Sequence, residues 1–183
     1  IREARAPRVL RLEHDPAVGD WVAVHAEGRA DEPLRMAAVL PRTSAFVRAA
    51  AGGSGSPQVV AANIDIAIVV TSPDDLNARR LERYVALAWE SGAQPLVVIA
   101  KADACDDRAA AYAAAAHAAP GVDVLVASSH TGEAVDELER RLAAGTTAVL
   151  IGSSGVGKST LANTLLGADH LRTRSVRRDG RGR

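Results

Sequence analysis

Gly152-Ser153-Ser154-Gly155-Val156-Gly157-Lys158-Ser159 is the stretch that decides the fold. It has the spacing GxxxxGKS of a phosphate-binding loop. An apolar run, Ala148-Val149-Leu150-Ile151, leads in and reads as a buried parallel strand. Ser159 to Leu166 leads out and reads as an amphipathic helix. Strand, loop and helix in that order are the context the motif requires. The glycines let the backbone wrap a phosphate closely, at φ values other residues avoid. The loop's N–H groups then point inward at the positive end of the following helix. Lys158 supplies a charge for the β- and γ-phosphates, and the Ser159 hydroxyl suits Mg2+. A Gly/Ser-rich connection with an incidental lysine is the bland alternative, and it explains neither flank. The motif specifies a nucleoside triphosphate. It leaves open the base and the use of the energy.

The 183 residues around this loop suffice for one large or two small domains. Hydrophobic residues make up 48% of the chain but aromatic ones only 3%, so the core is aliphatic and alanine-rich. The formal net charge is zero, which excludes a globally basic nucleic-acid or membrane binder and leaves only local surfaces for such partners. Cys105 is the single cysteine, so no internal disulfide or multi-cysteine metal site is possible. No apolar run reaches membrane-spanning length, and the first residues lack the pattern of a signal peptide. A soluble, cytoplasmic protein with no membrane contact is expected.

Residues 1–48 read as all-β. Val9 to Leu12, Val18 to Val24 and Met36 to Leu40 are short strand-like runs, separated by turns at His14-Asp15-Pro16 and Glu27 to Pro33. That spacing suggests a small barrel. Three strands leave open edges, so part of the barrel is expected to precede Ile1. Residues 49–57, Ala-Ala-Ala-Gly-Gly-Ser-Gly-Ser-Pro, have linker composition. The second domain is then 58–183, with Gln58-Val59-Val60-Ala61 at its start. Ile64 to Val70, Leu96 to Ile99, Val122 to Val126 and Thr146 to Ile151 read as strands. Leu76 to Ser91, Arg108 to Ala118 and Glu133 to Leu142 read as helices. Leu81, Tyr84, Val85 and Ala88 form one apolar stripe, and Gly92 is a helix stop. Alternation of β and α predicts a parallel, doubly wound sheet with ligands at the strand C-terminal ends.

Two further motifs fall at such ends. Leu96–Ile99 runs into Ala100-Lys101-Ala102-Asp103. A carboxylate there can accept both the N1–H and the exocyclic amine of guanine, a pair that adenine does not offer. The stem of Lys101 can pack along the purine face. A capped loop, with Asp103 or Asp106 starting the helix at Arg108, is an equal alternative for this tetrapeptide. Val122–Val126 runs into Ala127-Ser128-Ser129-His130-Thr131-Gly132-Glu133, where a backbone N–H can meet a base carbonyl, or Thr131 or a neighbouring residue can simply cap a helix. The order is the specific signal: Lys-x-Asp, then Ser-Ser, then the phosphate loop. Ordinary GTPases place the phosphate loop first, so this chain reads as circularly permuted.

With these motifs in hand, the chain resembles the circularly permuted GTPases that act on the small ribosomal subunit, the RsgA or YjeQ family. Val18-Gly19-Asp20-Trp21-Val22 and Val39-Leu40-Pro41-Arg42 are similar to that family's OB-fold barrel. Gln58 to Asp65 and Arg80-Leu81-Glu82-Arg83-Tyr84 are similar to the start and first helix of its GTPase domain. The resemblance implies GTP/GDP and Mg2+ as cofactors and hydrolysis of GTP during small (30S) subunit maturation. Lys101, Asp103, Ser128 and Ser129 would hold guanine. Gly152, Ser153, Ser154, Gly155, Val156, Gly157, Lys158, Ser159 and Thr160 would hold phosphates, with Ser159 on Mg2+. The OB fold would bind ribosomal RNA, and the protein would act as a monomer. Ala100 stands where the family usually has Asn or Thr, which predicts nucleotide binding about 10- to 100-fold weaker than with Asn. Catalytic residues and the zinc-binding domain are expected beyond Arg183, with no zinc site in these residues. Two rival readings remain: a P-loop kinase or ATPase, and a nucleotide-gated RNA-binding module without turnover. Trp21 and Trp89 are expected in the core, and Phe46, Arg48 and the arginines from Arg172 to Arg183 are candidate RNA contacts.

Overall fold

The computed structural model describes residues 15–25, 35–48, 58–167 and 171. The strand expected at Val9–Leu12, the linker 49–57, the turn from Glu27 to Pro33 and the arginines from Arg172 onward lie outside these residues. Two compact units divide the chain, Ile1–Ile64 and Asp65–Arg183.

The described strands of the first unit are all antiparallel. β1 (Val22–His25) pairs with β2 (Arg35–Val39), and β3 (Ala45–Arg48) pairs with β4 (Gln58–Ala62). The reading of Gln58–Ala62 as the start of the second domain is therefore corrected. Its partners are Ala45 to Arg48, and Ala62 is fully buried in the first unit. The run expected as a strand from Val18 to Val24 is strand only from Val22. Gly19 takes φ 92°, and a Cβ there would lie 2.1 Å from the Ala62 carbonyl oxygen, so no side chain fits. Asp20 then turns inward. Its carboxylate accepts from Ala17 N (2.7 Å), Arg42 Nε (2.7 Å) and Arg42 Nη2 (2.8 Å). The Asp20 side chain is 1% exposed, and the Arg42 guanidinium holds its carboxyl below the ordinary aspartate range. Asn63, at φ 54°, accepts from Thr43 N and donates to the Gly19 carbonyl, closing the same end of the unit. Met36, Phe46 and Ala62 are buried here. Phe46 is a core residue, not a candidate RNA contact. Trp21 is instead 67% exposed, and Trp89 of the second unit is 56% exposed, so neither is in the core. Hydrophobicity alone does not bury an indole, and both face outward here.

The second unit is the expected α/β sheet. Its strands β5 (Ile66–Thr71), β6 (Gln94–Ile99), β7 (Val124–Val126) and β8 (Ala148–Ile151) lie in the order β7-β6-β5-β8, all parallel. Successive side chains of a strand face opposite sides of a sheet. Ile68, Val70, Leu96 and Val98 accordingly pack on Leu138 of α3 (Val135–Arg141) and Leu161 of α4 (Lys158–Leu166). Val69, Val97 and Ile99 pack on Leu81 and Val85 of α1 (Ala78–Ser91) and Ala115 and Ala118 of α2 (Arg108–Ala118). Burial on both faces explains the unbroken β-branched runs. Each fully buried aliphatic side chain contributes about 1.5–3 kcal/mol.

Helix boundaries follow local chemistry. Pro73–Asp75 forms a 3-10 turn, so α1 starts later than Leu76, with Asn77 Oδ1 accepting from Arg80 N at 3.1 Å. Gly92 ends α1 at φ 87°, as expected. Asp107 caps α2, accepting from Ala110 N at 2.9 Å. Neither Asp103 nor Asp106 holds that position. α3 is preceded by Ala134 at φ 58° with no side-chain cap, so Thr131 is not its cap either. Among the described residues, no helix is long and apolar enough to cross a membrane.

Candidate functional site

The phosphate loop leaves β8 at its C-terminal end and is pressed onto β5. A Cβ at Gly152 would lie 2.2 Å from the Val70 carbonyl oxygen, at φ 144°. Gly155 and Gly157 take φ 85° and 110°, conformations open to glycine. Gly157 sits against the base loop, where an added Cβ would lie 3.6 Å from the Ala100 Cβ. Val156 is buried at the middle of the loop and anchors it in the core.

Lys158 opens α4. Its Nζ donates to Gly152 O at 2.9 Å and to Ser153 O at 2.6 Å. Burial pushes this ammonium below the ordinary lysine range, and Asp75 partly offsets that push. A half-desolvated cation inside a ring of backbone groups is prepared for an anion. Ser159 is half-buried and Thr160 exposed, one and two residues into the same helix turn.

Lys101 takes the left-handed conformation, φ 60° and ψ 41°. Such a geometry is costly for a residue with a Cβ and is sustained only by its surroundings. Here it turns the chain so that Lys101 Nζ reaches Gly155 O at 2.9 Å. One side chain therefore ties the base loop to the phosphate loop. Ala100 is buried, and its N–H donates to Thr71 O at 2.8 Å.

Asp103 is exposed, with one oxygen accepting from Ser128 Oγ at 2.5 Å. That hydrogen bond is the main reason its carboxyl lies below the usual range, with smaller help from His130 and Arg108. Ser128 is fully buried. Its Oγ also accepts from the backbone N–H groups of His130 and Thr131, each at 3.2 Å. Ala102 N donates to Ala127 O at 3.0 Å, which joins the two loops below the carboxylate. Ser129 is half-buried beside them.

The structure thus brings Lys101, Asp103, Ser128 and the loop Gly152–Ser159 to one end of the parallel sheet. Ser129, Ser159 and Thr160 make no side-chain hydrogen bond among the described residues. Sequence reasoning missed the Lys101–Gly155 link and an ion pair between Arg108 and Glu133. Both join residues at least 25 positions apart, and no local pattern announces them. Among the described residues, no three His, Cys, Asp or Glu side chains gather as a metal site.

Comparison with known proteins places the chain in a family. The RsgA GTPase family model matches residues 39–183. The small ribosomal subunit biogenesis GTPase RsgA 2 of Lactiplantibacillus plantarum is 45% identical over 165 residues, covering 90% of this chain and 46% of that protein. The small ribosomal subunit biogenesis GTPase RsgA of Streptomyces avermitilis is 46% identical over 188 residues, covering 98% of this chain and 50% of that protein. The chain spans about half the length of these curated relatives. Among solved structures, YjeQ from Thermotoga maritima superposes with a TM-score of 0.68 at 23% identity, over 88% of this chain and 54% of that one. YloQ, described as a circularly permuted GTPase, gives 0.61 at 25% identity, over 83% and 50%. The likeness carries the fold class: an OB-type β unit followed by a P-loop GTPase domain with permuted motif order.

Proposed function

The chain belongs to the RsgA GTPase family, and from that premise we propose that it is the nucleotide-binding part of a GTPase that acts in maturation of the small ribosomal subunit. Gly152 to Ser159, with Thr160, would bind the phosphates of GTP and GDP, and Ser159 would ligate Mg2+. Lys101, Asp103, Ser128 and Ser129 would hold guanine. The first unit would contact ribosomal RNA, and the protein would work as a cytoplasmic monomer.

The residues fit such a ligand. Gly152 leaves no room for a side chain between the loop and β5, so the backbone itself forms the cradle. Lys158 is already positioned over the loop, its charge held only by carbonyls and by the field of Asp75. A phosphate would give that charge a full counter-ion. Mg2+, when bound, would neutralise phosphate charge during hydrolysis. Asp103 is kept ionised and in place by Ser128, ready to accept two hydrogen bonds from one base edge.

The observation that carries the reading is Asp103, held by a buried serine, on a loop whose lysine is tied to the phosphate loop. Adenine offers no pair of donors to such a carboxylate, so an ATP-binding kinase or ATPase would not read its base with it. Titration with fluorescent GDP and fluorescent ADP in Mg2+ tests it. A clear preference for GDP is expected. Equal affinities, or preference for ADP, would sink the guanine reading and with it the ribosomal assignment.

A further inference from the structure

Base reading at this site needs two loops in register, one carrying Asp103 and one carrying Ser128. Their inner ends are joined by Ala102 N to Ala127 O at 3.0 Å and by Ser128 Oγ to Asp103 at 2.5 Å. A third link lies farther along both loops. Arg108 Nη1 donates to both oxygens of Glu133, at 2.8 and 3.0 Å. Arg108 is the first residue of α2, five positions past Asp103. Glu133 closes the other loop: its carbonyl accepts from Ser128 N at 3.1 Å. The pair therefore connects the far side of the Asp103 segment to the residue that fixes the Ser128 backbone. It is not isolated from the carboxylate either, since the Arg108 charge acts on Asp103 directly.

We propose that Arg108 and Glu133 are positioning residues for base recognition, a clasp that holds the Asp103 and Ser128 loops at the separation a guanine requires. The proposal rests on the guanine reading above. Its energy is modest, because the two side chains are 47% and 41% exposed. Exposed pairs are weakened by salt and by side-chain entropy. Its leverage is geometric. Two hydrogen bonds to one base edge demand closer alignment than one, so a loosened loop loses the second bond first.

The test compares fluorescent GDP with fluorescent inosine diphosphate, which lacks the exocyclic amine. Arg108→Ala and Glu133→Gln are each expected to reduce the ratio of GDP to inosine diphosphate affinity about three- to fivefold. The double variant should do no worse than either single one, because the same link is lost each time. Molar salt should bring the wild-type ratio toward that of the variants. Three results would overturn the clasp: variants that keep the wild-type ratio, variants that lose both nucleotides equally, and losses that simply add in the double variant. A wild type with no preference for GDP over ADP would overturn the guanine reading itself. A wild type that prefers GDP, with variants unchanged, would overturn the clasp alone.

Discussion

Asp103 shows how little of a residue's surroundings can be read from its own identity. On its tetrapeptide, a base-reading carboxylate and a helix cap were equally good readings. The structure removes the cap reading, because Asp107, not Asp103, caps α2, and it shows Ser128 reaching across to Asp103. Asp103→Asn should lower GDP affinity by at least about 100-fold, since a charged acceptor pair becomes a neutral amide that donates on one side. Xanthosine diphosphate, which offers an oxygen where guanine has an amine, should gain relative to GDP. Competition between the two diphosphates against a fluorescent tracer checks both. Ala100 yields a second prediction. It is buried beside Gly157 and offers no polar side-chain atom to either loop. Ala100→Asn should tighten GDP binding about tenfold, read as a slower release of fluorescent GDP in stopped flow. Tighter binding by the wild type would remove the idea that Ala100 weakens the site.

At the scale of elements, strands and helices of the second unit were legible because their signals are local. Ile66–Thr71 is a β-branched run, α1 has one apolar stripe, and the phosphate loop carries its glycines at fixed spacing. The allegiance of Gln58–Ala62 was not legible. A five-residue strand says nothing of its partner, and register with Ala45–Arg48 depends on packing around Phe46 and Ala62. The turn at Gly19 was hidden for the same reason, since what excludes a side chain there is a carbonyl 43 positions away. Lys101 was named as a base-packing stem, and its bond to Gly155 emerges only with the left-handed backbone beneath it. The contact of loop with β5 makes the clearest element-scale prediction. Gly152→Ala must either displace Val70 or lift the loop, because its Cβ would overlap the Val70 carbonyl. Nucleotide affinity should fall at least about 100-fold while far-ultraviolet circular dichroism keeps its helical shape, with a melting temperature lower by several degrees.

For the molecule as a whole, the two units differ in what holds them. The second has an aliphatic core on both faces of a sheet. The first leans on Asp20 and Arg42, a nearly buried pair that joins segments 22 residues apart. Removing the Asp20 charge leaves the part-exposed Arg42 guanidinium without its carboxylate and costs about 1–3 kcal/mol. Asp20→Asn should therefore strip amide-exchange protection from β2 and β4 while sparing β5 and β6. The sign of the pH effect follows from the lowered carboxyl pKa. The pair's contribution is full above the unfolded aspartate value, about 3.9, and is lost as pH falls through the lower folded value. Protection of β2 should stay level from about pH 7 to 5 and collapse in stronger acid. The Asp20→Asn protein should lack that acid step. The strand order has a further consequence in time. β8 completes the sheet by pairing with β5, Ala148 opposite Ile66, residues 82 positions apart in the chain. During synthesis at about 5–20 residues per second, β5, β6 and β7 are all made before β8, β5 by about 4–15 s. The newborn domain thus makes the loops of Asp103 and Ser128 before the loop Gly152–Ser159, and the three come together only when β8 docks on β5.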